Sequence, residues 1–296
     1  MINKRTTGEK VFDVINVIIM ILLMISCLYP MLYVLFASIS DPKILSQHRG
    51  ILLKPLGFTL KGYDLVFSNP NISSGYINTI FYVIIGTAIN IFMTSLGAYV
   101  LSRRNLYWRK LITFLITFTM FFGGGLIPYY LLVQKLGLIN TRAAMIIPGA
   151  VSTWNLIVMR TSFLSIPDSL EESARLDGAN DFTILFKIIL PLSKATIAVM
   201  TLFYAVGHWN EWFNAMIFLR DRDLFPLQLI LREILITNDT KDMTIITDAS
   251  QLGEQDIYKS LVQYCTIIVA TVPILFIYPF LQKYFVKGVM IGSVKG

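Results

Sequence analysis

Long apolar stretches alternate with short polar ones along most of the 296 residues. Six runs, 14–40, 76–101, 111–133, 143–159, 195–219 and 260–281, approach or exceed the roughly 20 residues a helix needs to cross a hydrocarbon core about 30 Å thick. The pattern predicts an all-α polytopic membrane protein, one transmembrane domain over 1–296 with six transmembrane helices. The fourth run is the shortest and contains Pro148, a residue that membrane helices accept where neighbours take up the carbonyl it frees. The fifth carries His208 and Glu211, whereas the other runs hold no Lys, Arg, Asp or Glu.

Composition agrees. Hydrophobic residues make up 55% and charged residues 15%, with mean hydropathy +0.65, against a charged fraction near a quarter in soluble domains. Lys4, Arg5 and Lys10 precede the first run, but that run is far longer than the apolar core of about 7–15 residues in a signal peptide. An uncleaved first span is expected. Basic residues favour the side that holds the N-terminal arm, the connections near 103–110 and 160–194, and the tail. The excess is modest, and the density of LSRRNLYWRK, with Trp108 as an interfacial anchor, decides the orientation. Both termini are then cytoplasmic.

The net charge of +7 suits contact of these clusters with anionic lipid of the bilayer rather than nucleic acid, since no soluble domain exists to carry such a patch. Cys27 and Cys265 fall inside apolar runs and are expected buried as small hydrophobes. No phosphate-binding loop is present, because Gly123, Gly124 and Gly125 lie inside an apolar run and lack the following Lys. No cofactor is expected on this chain, and ATP, if it drives the protein, must bind elsewhere.

One cytoplasmic connection, 167–191, is unlike the rest. Asp168 with Glu171 three residues on has the spacing of a capping box after Pro167, predicting a short helix that runs to Gly178, a residue suited to a left-handed cap. Asn180 or Asp181 then caps a second helix whose Phe182, Leu185, Phe186 and Ile189 share a face until Pro191 ends it. Neither helix is long enough to span. A charged helix joined at a glycine bend to an amphipathic one has the form of a docking element.

The residues Glu172, Ser173, Ala174, Asp177, Gly178 and Ala179, followed by a hydrophobic helix and Pro191, resemble the EAA motif of binding-protein-dependent ABC importer permeases. Only Ser173 departs, a small residue in place of alanine. The resemblance extends over GFTLKGYDLVF, Asn78 with Thr79 and Ile80, AYVLSRR, LGLINT, WNEWF and the terminal KYFVKGVMIGSVKG, and is to the maltose-type sugar permeases. FFGGGLIPYYLL is further similar to a subgroup serving oligosaccharide uptake.

The resemblance implies a permease of the bacterial cytoplasmic membrane that translocates a sugar or oligosaccharide. Implied partners are a homologous second permease, two ABC ATPase subunits that carry ATP and Mg, and an extracytoplasmic sugar-binding protein or lipoprotein. It also implies that 167–191 is the ATPase-coupling loop and that the tail, at Lys287 and Gly288, reaches the ATPases.

Other candidates are read from the residues themselves. AYVLSRR is mainly a span end with snorkelling cations. Glu211 near a span end is costly unless it faces protein, water or a partner; with His208, Trp209, Asn210 and Asn214 it lines a sugar pathway or, on the other reading, a structural network. The 220–259 connection exceeds usual loop length, and the resemblance implies that it meets the binding protein, although FPLQLILREIL within it has the spacing to lie along the membrane instead. A secondary transporter and an accessory scaffold are the alternatives to an ABC permease; the first is disfavoured because the docking motif has no second copy.

Overall fold

The computed structural model describes residues 6–237 and 258–276, and these are helical or irregular throughout, without a strand. Among the described residues two compact units are present, one formed by 6–69 with 234–237 and 258–272 and the other by 70–233 with 273–276.

In the first unit, α1 (Thr7–Ser38) opens on a reciprocal cap in which Glu9 N–H donates to Thr6 Oγ1 and Thr6 N–H donates to Glu9. It is apolar all round, and only Ala37 and Ser38 at its end are buried. Short helices α2 (Pro42–Gln47) and α3 (Lys61–Ser68) follow. Ser38 bonds the Tyr63 hydroxyl at 2.8 Å, and the Cys265 thiol donates to the Ser38 carbonyl. Cys265 is buried as expected, but Cys27 is exposed, because it sits on a part of α1 that no other described residue of the unit covers.

The second unit is built on α4 (Pro70–Ser102), a span-length helix with one wide π turn at Tyr82–Gly86. The remaining helices are α5 (Arg109–Phe118), α6 (Leu126–Lys135), α7 (Thr153–Leu164), α8 (Asp168–Leu176), α9 (Asp181–Leu192), α10 (Lys194–Trp209), α11 (Phe213–Phe218) and α12 (Leu227–Arg232). Ala98 and Leu101 of α4, Met159 and Phe163 of α7, Ile184 and Ile189 of α9 and Met200 of α10 form one buried cluster. The last described helix, α13 (Tyr258–Phe276), belongs to the first unit through residue 272.

Helix length alone does not reproduce six spans. Among the described residues, α1, α4 and α13 are long and apolar enough to cross a membrane, and α9 with α10 makes a fourth candidate bent by 87°. The run 111–133 is interrupted between α5 and α6, where Gly125 takes φ +84°. The run 143–159 begins as a 3-10 turn at Arg142–Met145 and becomes α-helical only at Thr153, capped by Ser152. The run 195–219 breaks after Trp209. Hydropathy averages over such breaks; glycine, proline and local caps create them.

The break at Pro148 is met by polar side chains of the neighbouring helices. Asn90 is fully buried on α4 and its amide donates to the carbonyls of Gly149 at 2.7 Å and Ala150 at 3.0 Å, while its Oδ1 lies 2.7 Å from His208 Nε2. Ser152 N–H donates to the Tyr204 hydroxyl, which lies 2.7 Å from Thr94 Oγ1. Gly86, at the end of the π turn, makes room for the imidazole: a Cβ there would lie 2.5 Å from His208 Nε2.

A second set of bonds fixes the stretch FPLQLILREIL. Asn78 donates to the carbonyls of Asp223 and Phe225, Thr79 accepts from Leu227 N–H, and Tyr82 donates to the Leu224 carbonyl. Leu227, Leu229, Ile230 and Leu231 are buried. The stretch therefore does not lie along the membrane with its apolar side free, since that side is spent on α4. Residues 238–257, half of the long connection, lie outside the described residues.

Two outcomes follow from these contacts. Asn90→Ala leaves two carbonyls without donors, at about 1–3 kcal/mol for each group left unpaired, and should lower the thermal midpoint in detergent. Asn90→Asp should fail as well, because a carboxylate cannot donate. Gly75→Ala places a Cβ 2.5 Å from Ile230 Cδ1 and 3.2 Å from Leu227 Cα, an overpacking of about 1–3 kcal/mol that Ile230→Ala in the same chain should relieve only in part, since the Leu227 backbone stays in place.

Candidate functional site

The 167–191 connection forms the helix, glycine bend and helix that its sequence predicts, with different chemistry at its start. Pro167 occupies the cap position and offers no side-chain acceptor, so Asp168 is already the first helical residue. The capping box is absent for that reason. Asp168 instead pairs with Arg104 at 2.8 Å, and Glu171 turns inward to Arg103 and to Arg175 at 3.0 Å.

At the other end α8 closes with a Schellman motif: Ala179 N–H donates to the Ala174 carbonyl and Gly178 N–H to the Arg175 carbonyl. This requires the left-handed backbone that Gly178 adopts at φ +81°. Asn180 rather than Asp181 is the next cap, accepting from Thr183 N–H at 2.8 Å. Asp181 is left to pair with Arg175 and to accept from the Tyr99 hydroxyl at 3.3 Å.

A π turn at Leu185–Ile189 alters the face expected of α9. Ile184, Leu185 and Ile189 point into the core, while Phe182 and Phe186 remain exposed. Pro191 does not end the helix, which continues to Leu192 and turns at Ser193 into α10.

Arg103 is not a snorkelling cation. Its guanidinium lies 4.5 Å above the Tyr99 ring, donates to Ser102 Oγ and meets the Glu171 carboxylate, and the two side chains are only 16% and 13% exposed. Burial lowers its hold on the proton, an effect that Tyr99 and Asp168 oppose. Arg104 alone fits the expected exposed role.

The two faces of α8 therefore differ. Ala174 is buried and Glu171 is paired inside. Glu172, Ser173, Asp177 and Gly178 are exposed, and Glu172 has no ion-pair partner among the described residues. Leu176 is 89% exposed at the centre of this outer face. Sequence reading passed over Leu176 because its helical neighbours are charged; a lone leucine on a charged helix was the available signal.

The second group of candidates gathers at the bend after α10, but its members face different ways. His208 bonds Asn90. Trp209 is buried edge-on to Tyr76, its ring centroid at 6.3 Å, and its indole N–H finds no acceptor among the described residues. Asn210 donates to the Val206 carbonyl. Glu211 accepts from Asn214 N–H and so holds the start of α11. Trp212 stacks under Arg232 at 4.8 Å. Three of the five, His208, Asn210 and Glu211, thus spend polar groups on structure, the arrangement expected of a network. Lys287 and Gly288 lie outside the described residues.

Comparison with known proteins places these features. The family model for the binding-protein-dependent transport system inner membrane component matches residues 3–291. The polygalacturonan/rhamnogalacturonan transport system permease protein YtcP of Bacillus subtilis (strain 168) is 41% identical over 290 residues, 97% of this chain and 99% of the relative. Protein LplC of the same organism is 39% identical over 292 residues, covering 99% and 97%. A crystal structure of a bacterial ABC transporter involved in import of the acidic polysaccharide alginate contains a chain that superposes with TM-score 0.86 at 32% identity, covering 95% of this chain and 99% of that one. With nearly its whole length matched, the chain belongs to the binding-protein-dependent transport system inner membrane components.

Proposed function

We propose that this chain is a permease subunit of an ATP-driven importer that translocates a sugar or oligosaccharide delivered by an extracytoplasmic binding protein. The observation that carries the reading is the two-faced α8, gripped on its inner side and free on its outer side. Relatives named as carbohydrate permeases support the solute class. The six apolar runs form the transmembrane body, some as broken helices, with both termini and 167–191 on the cytoplasmic side of the bacterial membrane.

ATP with Mg is bound and hydrolysed by two partner ATPase subunits, and a homologous second permease completes the pathway. Closure of the ATPases pushes on Glu172, Ser173, Leu176, Asp177 and Gly178, and the push tilts the spans between inward-open and outward-open arrangements. Lys287 and Gly288 extend the same contact from the tail. The bend that holds His208, Trp209, Asn210, Glu211 and Asn214 borders the solute route, where the buried indole N–H of Trp209 is the polar atom left for a passing hydroxyl.

The solute is tested by copurifying the complex and titrating its binding protein with neutral oligosaccharides, acidic oligosaccharides, amino acids and peptides. An oligosaccharide should bind, and binding of amino acids or peptides alone overturns the class. For the docking face, truncating one partner of a desolvated pair costs about 2–5 kcal/mol, so Glu172→Ala should weaken ATPase retention by about 30-fold or more and stop uptake. Parental transport by Glu172→Lys would show a merely solvated carboxylate. A Cβ added at Gly178 meets no described atom within 4 Å; Gly178→Val should strain the left-handed bend by about 1–3 kcal/mol and obstruct the partner, leaving membrane abundance near normal while uptake is lost.

A further inference from the structure

On the reading of 167–191 as the ATPase-facing loop, a push on α8 has to reach the spans, and the structure offers one closed circuit through which it can. Arg103 follows directly on α4 and holds Glu171 of α8. Glu171 also holds Arg175, one helical turn on. Arg175 crosses the glycine bend to Asp181 at the start of α9, and Asp181 accepts from the Tyr99 hydroxyl of α4. The Tyr99 ring lies beneath the Arg103 guanidinium, which closes the loop of contacts.

The circuit is anchored as well as closed. Arg103 Nε donates to the Tyr99 carbonyl at 3.3 Å, and its Nη2 to Ser102 Oγ at 2.9 Å. Arg160 of α7 donates to the Leu101 carbonyl at 3.0 Å, so a second helix is fastened to the same end of α4. Below the ionic groups, Ala174, Ile184 and Leu185 pack with Ala98 and Leu101. Apolar packing resists compression but slides sideways with little penalty; the Arg103–Glu171 pair, at low exposure on both sides, fixes lateral position, since either group displaced would be left desolvated without its partner.

We infer that Arg103 and Glu171 are positioning residues that make α8 and the end of α4 move as one body, so that the carboxylate transmitting the stroke is Glu171, while Glu172 beside it receives the partner. The two roles separate experimentally. Glu172 faces out, and its loss acts on ATPase retention. Arg103 and Glu171 face in, and their loss should spare retention and break the link behind it.

The test uses the whole complex, copurified with its second permease and ATPases and reconstituted with its binding protein. Arg103→Gln and Glu171→Gln should each keep the ATPases bound and basal ATP hydrolysis intact, while stimulation by the loaded binding protein and uptake fall on the order of tenfold, within the usual range of coupling between sites. Arg103→Lys, which keeps the charge but not the planar stack, should retain an intermediate stimulation. The exchanged pair, Arg103→Glu with Glu171→Arg, should recover part of what either reversal alone loses.

A second measurement does not depend on how well those variants fold. In a chain carrying Cys27→Ala and Cys265→Ser, cysteines at 103 and 171 are joined by a short bifunctional crosslinker. If the two segments move together, crosslinked complexes transport at least as well as the uncrosslinked double cysteine chain. Arrest on crosslinking overturns the inference, as do parental stimulation in both single Gln variants or release of the ATPases by Glu171→Gln to the extent seen with Glu172→Ala. If neither Glu172→Ala nor Arg103→Gln alters transport, the docking reading itself fails; if Glu172→Ala releases the ATPases while Arg103→Gln transports normally, only the link is lost.

Discussion

A bilayer core holds no water, so every backbone group released by a break in a helix has to be met from within the protein. This chain breaks its apolar runs repeatedly, and the positions of its buried polar residues follow from that. Asn90 serves the carbonyls at the Pro148 break, Tyr204 serves Ser152, and Asn78 with Thr79 and Tyr82 serves the segment before α12. Most of these side chains lie on α4. That helix is therefore both a wall of the second unit and the source of donors and acceptors for pieces of backbone that could not otherwise remain there.

At the end of α4 the chemistry changes from neutral hydrogen bonds to charge. Buried ion pairs add little net stability, because removing both charges from water offsets most of their attraction; breaking one is what costs. Arg103 and Glu171 are best understood in those terms, as groups that fix where one segment lies against another. The exposed residues of α8 have the opposite property. Glu172 and Asp177 are exposed to water, and Leu176 adds exposed apolar area beside them.

The sequence discloses elements whose cause is local. The glycine bend at Gly178, the cap at Asn180 and the membrane class are legible because each rests on a few adjacent residues or on summed hydropathy. What is settled by distant residues was less legible. Glu171 has capping-box spacing, yet Arg103, far away in the chain, takes the carboxylate. Arg103 has the look of a snorkelling cation until Tyr99 and Glu171 enclose it. FPLQLILREIL has the periodicity of a surface helix, and Gly75, Asn78, Thr79 and Tyr82 on α4 explain why it is packed inside. A π turn shifts the face of α9, which no count at helical spacing anticipates. His208, Trp209, Asn210, Glu211 and Asn214 share a neighbourhood, but His208 bonds a side chain of α4 while Asn210 and Glu211 bond backbone groups.

The N-terminal helix has a different standing from everything after it. At 1.5 Å per residue its 32 residues extend about 48 Å, and its contacts with other described residues of its unit gather in its last third, where Tyr29 accepts from Leu52 N–H, Tyr33 meets Tyr264 edge-on and Ala37 and Ser38 are buried. Its helicity rests on its own cap and on satisfying its own backbone, as a hydrocarbon solvent demands. It can thus enter the bilayer complete, as it leaves the ribosome, before any of the residues that will hold its far end have been synthesised. Substitutions along most of its length are then judged by lipid partitioning rather than by packing.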